Sequence, residues 1–151
     1  FIPPAFSPVA PSSRTVAPAP VIPAIEEAAQ SATAALAEAV DLVGLLAVEF
    51  FIAADGRLLF NEMAPRPHNS FHWTIEGCAT SQFTQLARVL TGLGFGDTTP
   101  YGRWQMDNLL GQHLDRVPGL LADASSHLHL YGKPEARQDR KMGHVSRRLG
   151  D

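Results

Sequence analysis

Three observations predict an α+β architecture for this 151-residue chain. They are an Ala-rich helical stripe, an Asp-Gly turn between two apolar runs, and a carboxyl-terminal third of short strands broken by Gly, Pro and Asp. The stripe is Ile25, Ala29, Ala32, Leu36 and Val40, and predicts a helix from Pro23 to about Asp41, with Gly44 just past its end. The apolar runs 45–52 and 57–62 flank Ala53-Ala54-Asp55-Gly56, a strong short-range hairpin signal. After a Pro/Asn/Ser loop over 64–70, Thr74 is expected to cap a helix running to about Thr91. Ile75, Cys78, Phe83, Leu86 and Leu90 would form its apolar face, and Gly92 its stop. Strands are predicted over 106–111, 127–131 and 141–146. Residues 1–23 hold seven of the twelve prolines, which remove backbone donors and disfavour helix, so an extended or disordered leader is expected there.

Composition narrows the function. The apolar fraction of 45% suits a globular protein, and a net charge of −3 argues against broad electrostatic capture of nucleic acid or an anionic membrane. The longest apolar run, around 42–48, is far shorter than the roughly 20 residues of a membrane span. Cys78 is the only cysteine, so no internal disulfide forms, which fits a reducing compartment. A chain that begins with Phe is expected to be part of a longer protein.

The hairpin can be worked out by register. If Asp55 and Gly56 are the two turn residues, cross-strand partners sum to 111, and Glu49 faces Glu62 with Cβ atoms ~5 Å apart. The other pairs are Phe50 with Asn61, Phe51 with Phe60, Ile52 with Leu59 and Ala53 with Leu58. Both faces are then largely apolar, as in a strand covered on both sides. Two carboxylates opposed in such a place require a proton or a bridging cation. Oxygen-only ligands suit Mg²⁺, which takes one or two carboxylates plus substrate phosphates, and Asn61 can add a carbonyl. In the loop that follows, Pro65 and Pro67 stiffen the chain around Arg66 and His68, with Asn69 next. An Arg fork and an imidazole are suited to a small anion and to proton transfer; an ordinary polar turn is an equal reading on chemistry alone.

Longer motifs add to this. The runs Leu45-Leu46-Ala47-Val48-Glu49-Phe50-Phe51, Asn61 to Ser70 and His72-Trp73-Thr74 strongly resemble the 5-(carboxyamino)imidazole ribonucleotide synthases, ATP-grasp ligases of purine biosynthesis. His127 to Lys133 and Arg140-Lys141-Met142-Gly143-His144 are similar to that family's closing signature. Looser relatives, such as the formate-dependent glycinamide ribonucleotide transformylases and the biotin carboxylases, share the acid pair but match these motifs less well. The resemblance implies ATP-driven joining of bicarbonate to the amine of 5-aminoimidazole ribonucleotide through carboxyphosphate. It also implies Mg²⁺ (with Mn²⁺ as an alternative) on Glu49 and Glu62, ATP contacts from Asn61 and Glu62, and bicarbonate handling by Arg66, His68 and Asn69. Lys133 and Arg140 would grip the ribonucleotide phosphate. Where the family commonly has Gly after His-Asn-Ser, this chain has Phe71. A cytoplasmic homodimer is implied, with small-molecule substrates and neither nucleic acid nor membrane as partner.

The resulting division is a leader over 1–14, part of an ATP-grasp domain (helix, hairpin, helix) over 15–97, and a small, mostly β carboxyl-terminal domain over 98–151. The family's Rossmann-like amino-terminal domain and second ATP-grasp subdomain lie outside these residues, so the chain alone is expected to be inactive. A non-catalytic truncated product, or an ATP-grasp carboxylase with another acceptor, are the alternatives. His127 and His129 share a strand face but lack a further ligand at zinc spacing. With Cys78, Trp73 and Trp104 they are read as structural.

Overall fold

The structure, a computed structural model, describes residues 14–150; apart from Arg14, the leader expected over 1–14 lies outside the described residues. In chain order the elements are β1 (Arg14–Ala17), α1 (Pro23–Ala39), β2 (Ala47–Ile52), β3 (Leu58–Ala64), α2 (Thr74–Gly77), α3 (Gln82–Leu90), β4 (Arg103–Leu110), α4 (Val117–Ala122), β5 (His127–Leu130) and β6 (Lys141–Leu149). The mixture of helix and strand is the α+β class expected. β1, β4, β6 and β5 form one antiparallel sheet in that order, and β2 and β3 form a separate hairpin.

α1 follows its predicted span, but Gly44 does not end it. Asp41 adopts the left-handed conformation (φ 46°). The Asp41 N–H bonds to the Glu38 carbonyl, and the Leu42 N–H to that of Ala37. This is the paired bonding of a Schellman cap, and Asp tolerates the conformation through its short polar side chain.

The hairpin departs from the expected register and then returns to it. The Gly56 N–H bonds to the Ala53 carbonyl, the Ala53 N–H to that of Arg57, and Gly56 has φ 84°. Those are the marks of a three-residue loop, a turn followed by a left-handed glycine, rather than the two-residue turn expected. Every pair near the turn is therefore shifted by one: Phe50 opposes Phe60, Phe51 Leu59 and Ile52 Leu58. A bulge between Glu49 and Phe50 leaves Asn61 as the extra residue and restores Glu49 to Glu62. Nor is the hairpin covered on both sides. Phe60 is 58% and Met63 48% exposed, and α1, which packs on β3, has no buried residue of its own.

The single helix expected over 74–91 divides. Cys78 is extended (φ −136°, ψ 153°) and bridges to Pro100. α3 starts afresh at Ser81, whose hydroxyl accepts the Thr84 N–H at 3.2 Å. Thr74 is not a cap; its hydroxyl donates to the Phe71 carbonyl and accepts from the Gln82 N–H. The expected apolar face is partly outside: Phe83 and Leu90 are exposed, while Gln82 and Gln85 are buried. Both amides are satisfied, Gln85 by the N–H and carbonyl of Gly96, and satisfied polar groups can be buried at little cost.

The four-stranded sheet separates two cores. Trp104 and Met106 of β4 meet Ala17, Trp73 and Cys78 on one face. Leu109 and Val145 meet Leu120 of α4 and Leu128 on the other. β1 was not among the predicted strands, yet Thr15 and Ala17 are almost fully buried in it. At the far end, Leu109 pairs with Gly143 but Leu110 pairs with Lys141. That second bulge makes Met142 the extra residue. It turns Lys141 onto the face that carries Asn108 and His144.

Candidate functional site

The two hairpin carboxylates reach a histidine supplied by the next loop. Glu49, Glu62 and His68 each offer a ligand atom, all within 4.8 Å of one another, and among the described residues this is the only such group. The His68 side chain is 10% exposed. Its Nε2 lies 3.3 Å from Glu62 Oε1 and its Nδ1 3.0 Å from Ser70 Oγ. Ser70 Oγ in turn donates to Glu49 Oε1 at 3.1 Å, and Asn61 Nδ2 donates to Glu49 Oε2 at 3.2 Å. The bulge places Asn61 there. The Glu49 and Glu62 side chains are 34% and 56% exposed, so the pair faces open space rather than an apolar cover.

The loop is held from below by Gln82. Its Oε1 accepts the His68 N–H at 2.8 Å, and its Nε2 donates to the His68 carbonyl at 3.0 Å and lies 2.8 Å from His72 Nδ1. A Gln at the start of a helix carries no sequence signal for this, since its partners lie 10 and 14 residues away. Asn69 is fixed from the other side. It exchanges two 2.9 Å amide hydrogen bonds with Asn108 of β4, and Lys141 Nζ donates to its Oδ1 at 3.2 Å. Lys133 Nζ donates to the Lys141 carbonyl at 2.7 Å. Arg66 is exposed and, among the described residues, its side chain donates only to the adjacent Pro67 carbonyl. Arg140 donates to the Glu135 carbonyl. Glu49, Asn61, Glu62 and His68 thus converge, and Asn69 and Lys133 are joined through Lys141. Among the described residues, neither Arg66 nor Arg140 forms a hydrogen bond or ion pair with the two carboxylates.

A cluster of histidines underlies the loop. His129 stacks on His144 at 4.5 Å, and His72 lies 5.0 Å from His144 and 5.4 Å from Phe83. Tyr131 OH meets His144 Nδ1 at 2.9 Å, and Glu76 meets His129 Nε2 at 2.6 Å. His129 is therefore engaged by an acid, and His127 packs on Trp104. Trp73, Trp104 and Cys78 are buried in the core, and burial pushes the Cys78 thiol up to about 11.

Burial, reinforced by the neighbouring histidines and for His72 also by Lys141, pushes His72 down to about 4 and His144 to about 3. As these values lie below the unfolded one of about 6.5, the unfolded chain takes up protons first on acidification. The stabilisation is complete above about pH 6.5 and is lost as pH falls toward 4. The melting temperature is expected to drop between pH 7 and pH 5, and His144→Gln should flatten that slope. A slope unchanged in the variant would remove His144 from the account.

The chain matches known proteins along most of its length. The ATP-grasp domain family matches residues 12–83, and the phosphoribosylaminoimidazole carboxylase C-terminal domain family matches residues 105–148. The N5-carboxyaminoimidazole ribonucleotide synthase of Brucella melitensis is 47% identical over 89% of this chain, and the chain spans 37% of that relative's length. A crystal structure of an N5-carboxyaminoimidazole ribonucleotide synthetase with ADP superposes with a TM-score of 0.92 at 38% identity, over 99% of this chain and 41% of that one. The Aspergillus clavatus enzyme, in complex with ADP and 5-aminoimidazole ribonucleotide, superposes with a TM-score of 0.86 at 32% identity, over 96% and 41%.

Proposed function

The chain belongs to the N5-carboxyaminoimidazole ribonucleotide synthase family of ATP-grasp ligases, and on that premise we propose that it supplies one wall of an ATP-dependent carboxylation site. The reaction joins bicarbonate to the amine of 5-aminoimidazole ribonucleotide, with ATP cleaved to ADP and phosphate. The observation that carries this reading is the opposition of Glu49 and Glu62 with His68 inside 4.8 Å. Two carboxylates so placed repel unless a cation lies between them. Their oxygens fit a hard ion such as Mg²⁺, with Mn²⁺ as an alternative that the imidazole also suits. When bound, the ion neutralises phosphate charge in phosphoryl transfer.

The chain's own residues do the rest. Asn61 and Ser70 hold the two Glu49 oxygens in fixed positions, and His68 does so for Glu62. The exposed Arg66 fork is open to a planar anion such as bicarbonate. Bicarbonate oxygen attacks the γ-phosphorus as ADP leaves; the nucleotide amine then attacks the carboxyl carbon as phosphate leaves and the amine loses a proton. Lys133 and Arg140 sit in the carboxyl-terminal half, where two cations suit the ribonucleotide phosphate. The match of residues 105–148 favours this acceptor over another. No helix of the described residues is long and apolar enough to cross a membrane. A cytoplasmic setting and a homodimer rest on the family resemblance.

In the complete enzyme bearing this chain, phosphate release from ATP is expected only when bicarbonate and 5-aminoimidazole ribonucleotide are both present. Equal release without the ribonucleotide would overturn the proposal.

A further inference from the structure

Gln82 opens α3 and is 3% exposed, yet its amide serves the site loop and not its own helix. The backbone dictates which way that amide faces. The His68 N–H needs an acceptor, and Gln82 Oε1 supplies it at 2.8 Å. Nε2 is thereby turned toward the His68 carbonyl, at 3.0 Å, and toward His72 Nδ1, at 2.8 Å. One side chain therefore grips both polar groups of the His68 peptide, as a neighbouring strand would.

The grip reaches both carboxylates through His68. Pro65 and Pro67 remove two backbone donors from the same stretch, so a side chain takes the place of a backbone partner. His68 is extended there (φ −120°, ψ 147°), and its ring meets Glu62 at 3.3 Å. Ser70 Oγ lies on His68 Nδ1 and on Glu49, so a shift of the His68 peptide is felt at the second acid as well. The same amide orientation sets the state of His72. A nitrogen that can only donate requires His72 Nδ1 to accept, which places the His72 proton on its Nε2 and leaves the ring neutral. Burial among Phe83, Tyr131 and His144 pushes His72 the same way.

We propose that Gln82 is a positioning residue of the carboxylation site, holding the His68 peptide, and through it the imidazole on Glu62, against a neutral His72. The inference rests on the reading of Glu49, Glu62 and His68 as a cation site. Gln82 acts through His68, in the manner of an outer partner that orients a ligand.

The test uses the complete enzyme with Gln82→Met, which keeps the length and loses every bond, and Gln82→Glu, which keeps the shape and loses the donor. Mn²⁺ binding in the presence of ADP, followed by paramagnetic resonance, should weaken roughly 10-fold in the Met variant. The ribonucleotide KM should stay within about twofold, because the ribonucleotide phosphate is assigned to Lys133 and Arg140. In the Glu variant a carboxylate opposes the His68 carbonyl, and one added proton, on the carboxyl or on His72, restores a donor. Its loss of phosphate release relative to the unaltered enzyme should therefore shrink between about pH 8.5 and about pH 6, while the loss in the Met variant stays constant. The titratable groups around the amide are His68 and His72, with Lys141, His129 and His144 acting on His72; the ratio at each pH compensates for their ordinary titration. Mn²⁺ binding within about twofold in the Met variant, or a loss in the Glu variant that does not shrink on acidification, would overturn the proposal. If Glu62→Gln leaves Mn²⁺ binding unchanged, the cation reading itself fails. The acid recovery of the Glu variant then still decides whether Gln82 positions the loop, and it also decides if the Met variant does not fold.

Discussion

Replacing Glu62 with Gln in the complete enzyme is expected to cut phosphate release by roughly 100-fold or more, the scale of losing a charge-stabilising group at a reaction centre. The substitution keeps the side chain's length and an oxygen that can still face His68. What it removes is one of the two negative charges that Glu49 and Glu62 set across the hairpin. The same change should leave stability equal or slightly higher, because like charges directly opposed across two strands are unfavourable when no cation lies between them. Activity and stability are therefore expected to move in opposite directions, as at a site where function maintains a local strain. The measurements are phosphate release at saturating ATP across a magnesium titration, with a thermal melt of the metal-free protein. Turnover within about threefold of the unaltered enzyme would remove Glu62 from the metal site. A fall in melting temperature that matched the fall in activity would make its role structural.

The facing glutamates were legible in the sequence, although the local arithmetic behind them was incomplete. A two-residue turn with no bulge and a three-residue loop with one bulge both set Glu49 against Glu62; they differ in every pair between. Alternating apolar residues do not distinguish the two, because Phe50, Phe51, Phe60 and Leu59 satisfy either register. The bulge at β6 had a larger consequence. Period-two alternation groups Arg140 with Met142 and His144, and one inserted residue puts Lys141 there instead. The burial of Gln82 and Gln85 has no counterpart in the hydrophobic pattern: these amides are buried because the loop and the Gly96 segment offer them complete sets of partners. β1 escaped prediction because four residues beside a run of prolines carry too little pattern, and its strand is made by pairing with β4, about ninety residues on. The histidine cluster likewise combines residues from the loop, β5 and β6, so only the fold could assemble it.

The largest stability effect is expected at Trp73, which joins the site loop to the core. Its side chain is fully buried among Ala17, Cys78, Trp104 and Met106. The contact with α2 is close enough that a Cβ on Gly77 would lie 2.6 Å from the Trp73 ring. Trp73→Ala leaves a cavity there and should cost about 3–5 kcal/mol in chemical denaturation, a large part of the stability of a small domain. Trp73→Phe is expected to cost far less than the alanine change. The indole N–H is buried with no hydrogen-bond partner among the described residues, and a phenyl ring, which has no donor, relieves the ~1–3 kcal/mol penalty of that orphan group while giving up part of the packing. The order Ala well below Phe, with Phe near the unaltered protein, is the outcome to look for. Equal losses in both variants would mean that ring shape, and not buried area, sets the stability. Because Trp73 lies three residues beyond Ser70, whose hydroxyl bridges Glu49 and His68, the alanine variant should also loosen the loop. At a temperature where it remains folded, its turnover should fall further than that of the Phe variant, which keeps the core beneath the loop filled.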